Sequence, residues 1–132
     1  MKTFALRLHP DQDLKEELIR FTKENNIAAG FILSCVGSVK RATLRMADEN
    51  IVRAFPKKFE IVSLVGTLSQ DDVHIHISLS DEEGNVIGGH LKEGCPVYTT
   101  AEIVIGELED TRFSRVFDEN TGFKELVISK DR

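Results

Sequence analysis

The run VHIHISLSDEEGNVIGGHL, Val73 to Leu91, decides the fold. From Val73 to Leu79 the apolar residues Val73, Ile75, Ile77 and Leu79 alternate with His74, His76 and Ser78, the period of a strand with one buried face. Asp81-Glu82-Glu83-Gly84-Asn85 supplies turn chemistry, and Val86 to Leu91 returns as a second strand. The unit therefore reads as an antiparallel hairpin with a loop of about five residues. Successive side chains of a strand point to opposite faces, so His74 and His76 share a face and stand ~6–7 Å apart along it. In-register pairing brings His90, at the end of Gly88-Gly89-His90, back beside them.

Outward from this hairpin the chain continues to read as strand. Upstream, Phe59 to Leu68 is apolar on both faces: Phe59, Ile61 and Val65 alternate with Val62, Leu64 and Leu68, the pattern of a central strand covered on both sides. The cover need not all come from the same chain. Phe31 to Val36 precedes it, with Gly37-Ser38 allowing a bulge or bend before Thr43 to Met46, and Asp48-Glu49-Asn50 makes a turn. Downstream, Gly94-Cys95-Pro96 ends the hairpin unit and Thr99 to Leu108 is a long β-branched run. Val116-Phe117 and Leu126 to Ile128 flank Asn120-Thr121-Gly122 as a closing hairpin. At the start, Phe4, Leu6 and Leu8 alternate as a first strand. Asp11 or Asp13 then caps a helix with apolar positions Leu14, Leu18, Ile19 and Phe21 that ends at Asn25-Asn26. One main helix and about seven strands with short connections predict an α+β fold with a largely antiparallel sheet in a single domain over residues 1–132. Barrel or sandwich closure fits the same pattern.

Composition narrows the partners. With 41% hydrophobic and 30% charged residues the chain is an ordinary folding sequence, large enough to bury a core without staples. A net charge of −5, spread along the chain, disfavours direct DNA binding. The densest basic spots, Lys40-Arg41 and Lys57-Lys58, are doublets of the kind that end strands in water. No stretch approaches the ~18 apolar residues of a membrane span, and no signal-peptide pattern opens the sequence, which predicts an intracellular, cytoplasmic protein. Cys35 and Cys95 stand far apart and read as reduced, buried thiols.

Three histidines, His74, His76 and His90, suit zinc or another divalent transition metal, and three protein ligands leave tetrahedral zinc one open position, as in catalytic sites. A water bound there is acidified toward neutral pH. The competing reading is a polar strand face without an ion, against which the Gly-Gly-His return speaks; its glycines remove side chains that would crowd the site. His9 has no such company and reads as a surface residue. Glu60 and Glu102 each lie within an apolar strand run, where a buried carboxylate needs a partner; Arg41 or Arg45 would make a structural ion pair, and an unpaired carboxylate near a metal would be a candidate general base. No phosphate loop, dinucleotide fingerprint or serine-nucleophile elbow occurs.

The ordered set Phe31-Ile32-Leu33-Ser34-Cys35-Val36-Gly37-Ser38, Phe59-Glu60-Ile61-Val62-Ser63-Leu64-Val65-Gly66-Thr67, the His74/His76 strand and Gly88-Gly89-His90-Leu91 resembles the plants-and-prokaryotes-conserved (PPC) domain over nearly the whole chain. The resemblance implies an α+β fold around a largely antiparallel sheet, a homotrimer, and the three histidines as metal ligands. Plant members join the domain to AT-hooks that bind the DNA minor groove, and their Phe-Glu-Ile stretch contacts other proteins. No Arg-Gly-Arg-Pro hook exists in this sequence, so the DNA-binding label rests on an element it lacks, and the likeness is to stand-alone prokaryotic-type members. Two functions follow: a metal-dependent enzyme or small-molecule binder, and an oligomeric regulatory scaffold that meets DNA-associated proteins.

Overall fold

The computed structural model describes residues 1–130. β1 (Lys2–Leu8) is followed by α1 (Leu14–Glu24), and then come β2 (Gly30–Val39), β3 (Ala42–Arg45), β4 (Val52–Phe55), β5 (Phe59–Leu68), β6 (Val73–Ser80) and β7 (Val86–Leu91). β8 (Val97–Glu107), β9 (Thr111–Asp118) and β10 (Phe123–Lys130) complete the chain. Eight strands form one sheet in the order β1-β8-β2-β5-β6-β7-β3-β4, and β9 and β10 form a separate two-stranded sheet. Every pairing is antiparallel. The α+β reading holds, but the described residues contain ten strands where the sequence predicts about seven. The sheet is open, with β1 and β4 at its edges. β4 is a four-residue edge strand, mostly exposed, whose VRAF carries no one-sided apolar pattern to announce it.

One face of the sheet holds the core. Val73, Ile75, Ile77 and Leu79 of β6 point into it beside Ile103 and Ile105 of β8, and α1 lies over them with Leu14 and Leu18 fully buried. Asp13, the N-cap, fixes the helix to the sheet: its carboxylate accepts the Glu16 amide at 3.0 Å and the Gly94 and Cys95 amides at 2.8 Å each. At the other end Gln70 Nε2 donates to the carbonyls of Thr22 and Ile27 at 3.0 and 2.8 Å, tying the helix end and the residues after it to the loop before β6.

β5 departs from the simple alternation expected of it. A bulge between Ile61 and Ser63 shifts the alternation, so that Phe59, Ile61, Leu64 and Leu68 all point into the core, while Val62 and Val65 are more than half exposed. Val65 thus leaves the Phe59–Ile61 face to which simple alternation assigns it. With Leu33 and Val36 of β2, these valines place exposed apolar side chains on the neighbouring strands β2 and β5. No helix among the described residues is long and apolar enough to cross a membrane.

The thiols meet half of their expectation. Cys95 is buried, with its Sγ 3.5 Å from the Thr43 carbonyl, whereas Cys35 is half-buried. Burial pushes both up to about 11, so neither is an activated nucleophile.

Candidate metal centre

The hairpin loop spans residues 81–85, where Asp81 accepts the amides of Glu83 and Asn85 through Oδ1 at 2.9 Å each and Gly84 takes φ +84°. That turn fixes the register, which sets His76 directly opposite His90. His74 follows two residues away on the same face of β6. The three rings stand 5.1, 5.2 and 5.7 Å apart between centroids, and one nitrogen from each lies within 4.8 Å of the others. Three imidazoles around a tetrahedral ion at ~2.0–2.1 Å have their nitrogens ~3.4 Å apart. Small side-chain rotations close that difference, so the donor set and its geometry fit a divalent transition ion.

Burial and neighbouring cations favour the neutral, metal-binding form of two of the ligands, His74 and His90. Partial burial, then the guanidinium of Arg115, the neighbouring His76 and Arg45, hold His74 below the usual imidazole range, with Glu125 opposing. His90 is pushed down to about 4, first by burial and then by Arg45. Arg45 Nη2 lies 3.4 Å from His90 Nδ1; a guanidinium only donates, so this contact uses Nδ1 as acceptor.

Glu60 and Glu102 do not behave as buried carboxylates. Both are exposed, because plain alternation turns Glu60 away from the buried Phe59 and Ile61 and Glu102 away from the buried Ala101 and Ile103, and neither ion-pairs with Arg41 or Arg45. Glu102 accepts a hydrogen bond from Thr100 Oγ1 at 3.3 Å. The two border one cleft with Ser38 and Tyr98, and none of the three histidines lines it. Gly88 and Gly89 also have a different reason from the one expected. A Cβ on Gly88 would stand 2.7 Å from the Ile77 carbonyl and one on Gly89 2.8 Å from that of Arg45, so the glycines serve the close approach of β6 and β3 to β7.

The cleft beside the histidines includes residues that the sequence does not single out. Arg115 and Glu125 come from the β9–β10 hairpin, whose place against the main sheet no local pattern discloses. Arg115 donates through Nη2 to Thr67 Oγ1 and through its amide to Asp71 Oδ2, both at 2.8 Å. Phe123 of β10 lies under Arg45, with the guanidinium carbon 5.6 Å from the ring centre.

Sheet order, the hairpin and the histidine trio together define a family. Residues 1–109 match the Plants and Prokaryotes Conserved (PCC) domain, the PPC domain of the motifs above, and the chain belongs to that family. The Bifunctional protein GlmU of Synechococcus sp. (strain JA-3-3Ab) is 47% identical over 130 residues, covering 98% of this chain and 21% of that protein, so the chain spans about a fifth of the length of the curated relatives it matches. Among solved structures, a hypothetical protein from Salmonella enterica is 40% identical with a TM-score of 0.94, covering 98% of this chain and 94% of its own. A metal-containing protein from Archaeoglobus fulgidus is 32% identical with a TM-score of 0.85, covering 96% and 94%.

Proposed function

We propose that this chain is a single-domain, homotrimeric PPC protein of the cytoplasm that binds zinc or another divalent transition metal through His74, His76 and His90 and presents it to a small molecule. The observation that carries the reading is the convergence of three imidazole nitrogens within 4.8 Å on one sheet face. The Archaeoglobus relative, described as metal-containing, supports it. A bound ion would supply Lewis acidity and lower the pKa of a coordinated water. The chain's own part is to hold His74 and His90 neutral, to leave one side of the trio open to the cleft, and to line that cleft with Arg45, Arg115 and Glu125. Glu60 and Glu102, which border a different cleft, enter the proposal as bases only through a neighbouring subunit.

The trimer is supported by the exposed Val62 and Val65, which a neighbouring subunit would cover. The cytoplasmic placement rests on the two unpaired cysteines. Elemental analysis of untagged protein tests the metal. One equivalent per chain in the wild type, with affinity lowered at least tenfold in His74→Ala, His76→Ala and His90→Ala, is the expected result. Equal metal content in all four proteins would sink it.

The second reading, a regulatory scaffold for DNA-associated proteins, draws on the same exposed valines as a protein-contact surface. It does not need direct DNA binding: Lys57 is held by Asp81 and Glu82 at 3.5 and 3.2 Å, and Lys58 lies over the Tyr98 ring at 4.3 Å.

A further inference from the structure

Two clefts meet at the histidine trio, and His76, His90, Arg45 and Phe123 line both. The larger, of about 810 Å³, is lined by two arginines, Arg45 from β3 and Arg115 from β9. Neither guanidinium forms an ion pair among the described residues. Their contacts are instead a histidine nitrogen, a threonine hydroxyl and an aromatic face. Three lysines join the two arginines on that cleft and face the carboxylates of Asp71, Asp72 and Glu125, so positive charge is in excess there even though Asp71 and Asp72 also accept the Arg115 and Val73 amides at 2.8 Å each.

Two guanidiniums without carboxylate partners, next to three imidazoles, are unusual in a chain with a net charge of −5. Like charges that outnumber their counter-charges repel, and a cleft that keeps them has room for an anion to supply the balance. The second cleft, of about 590 Å³, has a different character. Met46, Val65, Ile77 and the Phe123 ring line it, with the hydroxyls of Ser63 and Ser78 as neutral polar groups and Glu49 as its one acid. A volume of this order suits a small organic molecule better than a bare ion.

We infer that the joined clefts bind a small organic oxyanion, a carboxylate or phosphate-type group held by Arg45 and Arg115 with an uncharged body lying against Met46, Val65 and Phe123. The planar guanidinium fork matches the geometry of such an oxyanion, which a lysine ammonium does not. The inference deepens the proposed function by naming its ligand class, and it rests on the metal only for the ligand's position beside the ion. Arg45 and Arg115 are then binding residues, and neither is a metal ligand.

Phenylphosphonate is a suitable probe, with inorganic phosphate and neutral benzamide as comparisons, titrated into metal-free and cobalt(II)-loaded protein. Side-chain nitrogen shifts of the arginines report binding in both forms, and the visible cobalt bands report entry into the coordination sphere. Saturable phenylphosphonate binding, weakened at least tenfold in Arg45→Gln and in Arg115→Gln and partly restored in Arg45→Lys, is the expected result. Phosphate should bind more weakly than phenylphosphonate, because it lacks the body, and Phe123→Ala should remove that advantage. Arg115 also pins the β9–β10 hairpin, so Arg45→Gln, which leaves the hairpin hydrogen bonds intact, carries the decision if Arg115→Gln loosens the fold. Unchanged affinity in Arg45→Gln, no saturable binding to either form, or benzamide binding as tightly as phenylphosphonate would overturn the inference. Failure of cobalt uptake alone would overturn the metal reading, while arginine-dependent phosphonate binding to the metal-free protein would still uphold the oxyanion cleft.

Discussion

Replacing His90 by glutamine in the metal-free protein should flatten its acid sensitivity. In the unfolded chain an imidazole protonates near 6.5, whereas in the folded protein His90 stays neutral until the pH falls to about 4. Between those values the unfolded chain takes up a proton that the folded protein refuses, so stability falls as the pH drops through this window and levels off below it. The full separation corresponds to about 3 kcal/mol, and allowing for solvent screening of a ring that is only partly buried leaves about 1–2 kcal/mol at pH 4. Glutamine removes that proton while keeping a group that can accept from Arg45. Urea unfolding with a chelator present, at pH 7 and at intervals down to 4, gives the two slopes. The wild type should lose about 1–2 kcal/mol more than His90→Gln across the window, a difference of several degrees in Tm for a domain of this size. Parallel curves, or a wild type that gains on the variant as the pH falls, would refute the account of how burial and Arg45 act on this ring.

Asp13→Ala should cost about 2–4 kcal/mol, because one carboxylate accepts three backbone amides and joins the helix start to the loop before β8; thermal unfolding measures it. Light scattering coupled to size exclusion should give a trimer of the 14.8 kDa chain, and Val62→Asp should shift it toward monomer with the circular dichroism spectrum retained. A wild-type monomer at tens of micromolar would overturn the trimer. In an anisotropy titration at physiological salt, duplex DNA should show no saturable binding near micromolar, and binding lost on neutralising Lys57 and Lys58 would reveal a basic surface that the net charge conceals.

The parts of the site legible in the sequence are those written in local periodicity. Alternation put His74 and His76 on one face, and the turn residues 81–85 fixed the register that returns His90, so the trio needed no tertiary knowledge. Arg45 stood in view for the wrong reason: an arginine near two strand glutamates invites an ion pair, and only the pairing of β3 with β7 places it opposite His90. Arg115 and Glu125 were beyond reach, because their position depends on how the β9–β10 hairpin seats against the main sheet, where the partners of Arg115 lie 44 and 48 residues earlier in the chain. β5 failed in a different way. Its bulge adds one residue, and every assignment of face beyond Val62 changes with it, so a run such as Ile61-Val62-Ser63-Leu64 misleads any reading that counts in twos. Glu60 and Glu102 were misjudged for a related reason, since an apolar run does not tell which of its faces a second layer covers.

The β9–β10 hairpin lies beyond residue 109, where the family match ends, and two strands alone are marginal in water. Phe113 is buried and its amide donates to the Ala28 carbonyl at 2.9 Å, so the root is firm, but Phe117 and Ile128 lie open to solvent. Backbone amides beyond the root should therefore exchange with solvent through local opening at a small fraction of the free energy needed to unfold the eight-stranded sheet. Arg115 and Phe123 belong to this weaker unit, whereas the histidines belong to the stronger one. The two walls of the cleft accordingly differ in permanence: the ligand trio and Arg45 persist as long as the domain does, and Arg115 and the Phe123 ring stay in place only while the hairpin stays seated.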